Sequence, residues 1–205
     1  MYICVAKQKQ THNMKKVFFL LAVAAAPLLT MAQTKWTLDK SHSSVKFEIT
    51  HLVISDVEGS FKMFDGSLES ADATGADFSN AKTNFTVDVK SVNTEDEKRD
   101  AHLQSDDFFS TEKFPKMSFV STSFKKVKGN MYTLEGNLTI RDVTKKVKFA
   151  VVHGGTVKDP WGNTKAGFKA TTKINRRDFG INYGTKAVVG DDVSITVNTE
   201  FAQAK

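Results

Sequence analysis

From Ser44 to Thr50 every second residue is apolar. Val45, Phe47 and Ile49 alternate with Ser44, Lys46, Glu48 and Thr50. A period of two places one set on one face of an extended strand and the other set on the opposite face. The pattern recurs along the chain and constrains the fold more than any other feature. Phe61 and Met63 read as a second strand, and Phe85, Val87 and Val89 as a third. "MSFVSTSFKKVK" and "YTLEGNLTIRDV" read as the fourth and fifth. They flank Gly129-Asn130, a two-residue hairpin signal. Val147, Phe149 and Val151 share the face of a sixth, and Phe168, Ala170, Thr172 and Ile174 that of a seventh. Val193, Ile195 and Val197 share the face of an eighth.

One interruption has helical grammar. Thr94 stands three residues before Glu97, the T-x-x-E arrangement of a capping box, and "EDEKRDAHLQ" follows with acidic residues in its first turn. Ser105 or Asp106 is placed to cap a second short turn, stopped by Pro115. This helical insert falls between strands 3 and 4. An all-β chain of eight mostly antiparallel strands with short turns suggests a single sheet closed on itself, which removes exposed edges. A two-sheet sandwich is the alternative that alternation alone leaves open.

The N-terminus reads differently. Lys15 and Lys16 precede an apolar run from Val17 to Leu29, and Thr30-Met31-Ala32 offers a small-residue cleavage site. That is the grammar of a secretory signal peptide from Met14 to Ala32. Residues 1–13 read as an upstream extension, so residues 1–32 are the leader and 33–205 the single folded domain, periplasmic or secreted. The apolar run is too short for a comfortable membrane span. No stable membrane insertion is expected after cleavage. The single cysteine, Cys4, lies in the leader, so the expected mature domain has no disulfide and no thiol chemistry.

Charge follows the same division. Four of the 29 basic residues, Lys7, Lys9, Lys15 and Lys16, precede the cut. That leaves 25 against 23 acidic residues and a net charge of +2 in place of +6. A nearly balanced surface makes no case for nucleic acid.

The residues also argue against catalysis. No G-x-S-x-G, H-E-x-x-H, C-x-x-C or phosphate-cradling glycine loop is present. His42 and His51 stand an odd nine residues apart, on opposite faces of any uninterrupted strand, a poor chelate unless a bulge intervenes. Asp39 with His42, and Asp100 with His102, read as local hydrogen-bonding pairs. The expectation is a non-enzyme with no metal and no cofactor. Aromatic residues point elsewhere. Phe47, Phe61, Phe85, Phe119, Phe149 and Phe168 occupy six different strands on apolar parities. In a closed barrel they converge on one interior, which is either a filled core or a dry pocket for an alkyl chain.

Several segments together resemble the YceI-like family of exported polyisoprenoid-binding proteins. They are "WTLDKSHSSVKFEITHL" (36–52), "GSFKMFDGSLE" (59–69) and "VDVKSVNTEDEKRDAHLQSDDFFSTEKFPKMSF" (87–119), then "LEGNLTIRDVTKKVKF" (134–149) and "KINRRDFGI" (173–181). The resemblance implies a lipocalin-like antiparallel barrel of eight strands that binds, sequesters or transports a long-chain isoprenoid or other amphiphilic lipid. The implied lining is Phe47, Ile49, Phe61, Phe85, Val87, Phe119, Leu138, Ile140, Phe149 and Phe168, with Phe108 and Phe109 of the insert as a lid or end cap. His51, Arg176 and Arg177 are the implied contacts for a polar head, with a structural ion pair to Asp178 or Asp100 as the other reading of Arg176. Two further readings stay open: an exported stress-related interaction protein with a filled barrel, and a hydrolase of a hydrophobic substrate. A homodimer is compatible with the sequence, which marks no surface for one.

Overall fold

The computed structural model describes residue 1 and residues 33–204. The signal segment from Met14 to Ala32 lies outside the described residues. Ten strands follow in order: β1 (Thr34–His51), β2 (Ser55–Phe61), β3 (Phe64–Ser70), β4 (Lys82–Asp88) and β5 (Val92–Asn93). The α-helix α1 (Glu97–Gln104) separates these from β6 (Lys116–Lys128), β7 (Met131–Ile140), β8 (Val143–Lys158), β9 (Thr164–Asn175) and β10 (Val189–Gln203). Neighbours pair antiparallel, and β10 closes on β1 from Trp36 opposite Gln203 to His51 opposite Val189.

The ten strands make eight walls. β1 pairs with β3 through Thr34–Thr37 and with β2 through Val45–His51, so β2 and β3 form one wall broken at Lys62 and Met63. β4 and β5 form the next, broken by a 3₁₀ turn at Val89–Ser91. The fold is the expected closed eight-stranded antiparallel barrel and not a two-sheet sandwich, with α1 between the third and fourth walls. No helix among the described residues is long and apolar enough to cross a membrane.

Three local expectations differ from the structure. Met63 does not share the inner face with Phe61; it sits in the wall break and is exposed. The helix cap is Asp96, whose carboxylate accepts from the N–H groups of Lys98 and Arg99. Glu95 takes a left-handed turn (φ 62°), which throws Thr94 out of the helix. Thr94 is buried instead and donates its N–H and hydroxyl to Asp100. The stretch after Ser105 forms successive turns rather than a second helical turn.

The two ends of the barrel differ. The 71–81 loop, the 129–130 hairpin and the 159–163 turn meet at the base. There Phe78 folds under the lumen against Trp36, Phe168 and His153, with ring centroids 4.8–5.4 Å apart. Tyr132 donates its hydroxyl to Asp77, and the Trp36 indole N–H donates to Ser70. Buried polar atoms are thus partnered where the base is driest. At the mouth stand the 52–54 turn, α1 with the turns after it, and the 176–188 connection.

Candidate ligand-binding tunnel

Two adjoining cavities run along the lumen. The inner one has a volume of about 150 Å³ and is walled by β3, β4 and β6–β10. Phe85, Val87, Phe119, Leu138, Ile140, Phe149 and Phe168 line it. The outer one, about 370 Å³, is lined by Phe47, Ile49, Phe61, Phe108, Phe109 and Ile140. Met117, Ile140 and Ile195 belong to both and form the neck between them. An apolar cavity the size of the inner one stays dry and takes a benzene-sized guest.

The lumen stays open because of glycines in the walls. Phe47 stands directly opposite Gly59, and Phe85 opposite Gly66. Each ring lies back over its glycine. A Cβ on Gly59 would come within 2.6 Å of Phe47 Cε1, and one on Gly66 within 2.5 Å of Phe85 Cδ2. Phe119 covers Gly136 in the same way, 2.6 Å from its Cε2 to where a Cβ would stand. A glycine inside a strand marks such a close approach. Rings that would otherwise meet on the axis are folded against the wall. Sequence reasoning missed these three glycines; the signal was their position inside alternating segments, one strand away from a phenylalanine.

The polar residues of the mouth divide into clamps and free groups. Arg176 lines the outer cavity, but its guanidinium is buried and donates to the backbone carbonyls of Gly190, Ile181 and Val189. Its ion-pair partner is Asp191 at 3.4 Å, not Asp178 or Asp100. Burial lowers the Arg176 pKa, with Arg177 acting in the same direction. Arg177 lines neither cavity. It pairs with Asp191 at 2.6 Å and donates to the carbonyls of Asn182 and Gly184, which fixes the 176–188 connection. His51 lines the outer cavity. So do Arg99, His102 and Tyr183, which sequence reasoning did not assign to the head-group end. His102 meets Asp107 at 2.9 Å and stands edge-on to Phe108 and Tyr183, with centroids 5.0 and 4.8 Å away. This cluster ties the insert to the 176–188 connection above the cavity.

The Asp39–His42 pair lies apart from both cavities. Lys40–Ser43 bulge out of the β1–β10 ladder, which skips from Asp39 opposite Glu200 to Ser44 opposite Asn198. Ser41 Oγ and Asp39 Oδ2 both approach the same ring nitrogen of His42, Nδ1, at 3.1 and 3.0 Å. A relay needs the nucleophile on one nitrogen and the acid on the other, so this arrangement does not activate Ser41. Asp39, His42 and Glu200 also present ligand-type atoms within 4.8 Å of one another. The Lys165 ammonium already sits there, 2.9 Å from Asp39 and 2.5 Å from Glu200. Hydrogen bonds from Ser41, Lys165 and His42 hold the Asp39 carboxyl well below the usual carboxylate range. The set reads as a latch between β1, β9 and β10.

The YceI-like domain matches residues 36–201, which is the whole barrel. The chain belongs to the YceI-like family. Its similarity extends to a UPF0312 protein of Staphylococcus aureus, 38% identical over 175 residues, covering 82% of this chain and 98% of that one. Among solved structures, a YceI protein of Campylobacter jejuni is 37% identical with a TM-score of 0.68, covering 82% of this chain and 97% of that one. A polyisoprenoid binding domain from Saccharophagus degradans, implicated in plant cell wall breakdown, shares the fold at 13% identity. Its TM-score is 0.62, covering 82% of this chain and 98% of that one. In this YceI-like chain the matched span includes the base plug, both cavities and the mouth up to β10.

Proposed function

We propose that the barrel binds the hydrocarbon chain of an amphiphilic lipid, a polyisoprenoid or a similar long-chain compound, and sequesters it without covalent chemistry. The observation that carries this is the open, nearly all-apolar lumen, with Phe78 packed under Phe168 at the base and polar side chains lining the mouth. A filled barrel would have its large rings meeting on the axis; here Phe47, Phe85 and Phe119 lie back over glycines. The likeness in fold to a polyisoprenoid binding domain supports the same reading.

Each buried CH₂ contributes about 0.8 kcal/mol, so a chain that fills both chambers gains most of its affinity from desolvation. The one-ended shape orders the ligand, tail toward Phe168 and head toward His51, Arg99, His102 and Tyr183. Arg176 and Arg177 shape that end by fixing the 176–188 connection. The segment from Met14 to Ala32 supports export, where a carrier of water-insoluble lipid has a role as transporter, store or scavenger. The geometry around His42 favours binding over hydrolysis.

Mass spectrometry of organic extracts tests this, comparing the purified protein with a Phe47→Asp/Phe85→Asp variant matched for folding by circular dichroism. A stoichiometric long-chain species present only in the unmodified protein is expected. Extracts that stay empty after incubation with isoprenoids and fatty amphiphiles would sink the proposal.

A further inference from the structure

The turn between β1 and β2 consists of Leu52, Val53 and Ile54. All three are exposed, Val53 at 71% and Ile54 at 84%. Three consecutive large apolar side chains at a hairpin tip, facing water, are contrary to ordinary turn chemistry. The backbone makes the choice stranger. Leu52 and Val53 have φ of 51° and 62°, the left-handed region that such turns normally give to Asn or Gly. A β-branched residue there is an outlier. Strain held at an exposed position points to a use for the side chains.

The location supplies the use. His51 and Val57, on either side of the turn, line the outer cavity. The Leu52 N–H donates to the carbonyl of Val188, which joins the turn to the 176–188 connection. There Tyr183 and Val188 are exposed and also line the cavity. From Asn182 to Val188 the only charged residue is Lys186, and it is exposed. On this side of the mouth the rim is therefore aliphatic at its tip, with a tyrosine and a lysine behind. That is the composition of a segment that sits at the headgroup boundary of a bilayer, with aliphatic groups in the acyl region, tyrosine at the interface and lysine toward phosphate.

We infer that the mouth docks on a lipid bilayer through Leu52, Val53 and Ile54, so that an amphiphile passes between membrane and tunnel without crossing water. The inference rests on the lipid-binding reading for its purpose, though the rim itself is tested separately. Docking is by insertion of the tip alone.

Flotation with phosphatidylethanolamine–phosphatidylglycerol vesicles tests it. The protein is purified from its host with its N-terminus defined by mass. It is compared with a Leu52→Ser/Val53→Asn/Ile54→Ser variant and with Trp161→Ser, which removes an exposed apolar ring at the opposite, base end. The triple variant is expected to partition about tenfold or more weakly, from the loss of three inserting side chains. Trp161→Ser is expected to match the unmodified protein. Equilibrium binding of soluble dansyl-undecanoate reads the tunnel in all three, and equal affinities are expected. Loss of dansyl-undecanoate binding in every protein would count against the tunnel and leave the rim result standing. Docking is overturned if the unmodified protein does not float, or if the triple variant floats equally well. Light scattering that shows a dimer abolished by the triple variant, without flotation, would assign the rim to a second copy of the chain and also overturn it.

Discussion

Phe78 at the base is 0% exposed and Ile54 at the mouth is 84% exposed, yet both stand at the ends of the same barrel. At the base Phe78 stands edge to face with Trp36, His153 and Phe168, and the polar atoms of Trp36, Tyr132 and His153 are partnered within the protein. The mouth places aliphatic residues in water and bends their backbone into a disfavoured region. One end is built for stability, while the other gives up stability for access. The contrast breaks most sharply at Phe78. Phe78→Ala should lower unfolding stability by about 3–5 kcal/mol, read by chemical denaturation, because a large buried ring is lost and its cavity remains. It should also open the tunnel at its far end. A loss below about 1 kcal/mol would mean that the base is not the anchor.

The glycines carry the contrast into the lumen. At Gly59 the three atoms nearest an added methyl all belong to the Phe47 ring, which can swing. Gly59→Ala should therefore turn Phe47 into the outer cavity. The expected result is amphiphile affinity lower by about tenfold with a stability change near 1 kcal/mol. At Gly136 the same methyl also falls 2.5 Å from the Val120 carbonyl oxygen, so backbone must move. Gly136→Ala should cost about 1–3 kcal/mol of stability. Titration calorimetry and denaturation on the two variants separate blocking from unfolding. Unchanged affinity in Gly59→Ala would mean that the ring does not border the bound chain.

Which parts of this were legible in the sequence follows from range. Alternation is local, so the walls through Val45–Ile49 and Val147–Val151 could be read directly. The breaks at Lys62–Met63 and the bulge at Lys40–Ser43 could not, because they are set by how neighbouring walls pair. The importance of Gly59 is likewise a matter of register: nothing near it in the chain says that Phe47 lies opposite. "NRRDFG" was recognisable as special, but the shared partner of its two arginines, Asp191, lies beyond the whole connection that they clamp. The Thr94 cap failed for a local reason, the left-handed turn at Glu95, which permits Asp100 to take Thr94 instead.

Acid should weaken the base. Burial lowers the His153 pKa, and nearby Lys126 acts in the same direction against a hydrogen bond at Gly155. The unfolded chain titrates this histidine near about 6.5. Below that pH the unfolded state binds the proton more readily than the folded state, so stability falls as pH drops from about 6.5 toward the lower folded value. Above about 6.5 the contribution of neutral His153 is fully present. His153→Gln keeps a partner for Thr156 and removes the titration. Denaturation midpoints across this range should decline for the unmodified protein and stay level for the variant; parallel profiles would place the acid sensitivity elsewhere.

The smallest expected effect has the opposite sign. Val53→Gly places the residue that tolerates φ 62° where a β-branched one now stands. Relief of left-handed strain is worth about 1–2 kcal/mol, and the added freedom of the unfolded chain offsets about 0.5–1 kcal/mol of it. A net gain of about 0.5 kcal/mol in unfolding stability should remain, seen as a small rise in Tm. The same variant removes one side chain from the rim, so vesicle flotation should weaken while the protein becomes more stable. Stability gained together with docking lost is the result that distinguishes a functional rim from a merely ill-formed turn. If Tm falls, the side chain supports the hairpin, and the strain at Val53 is not held for the membrane.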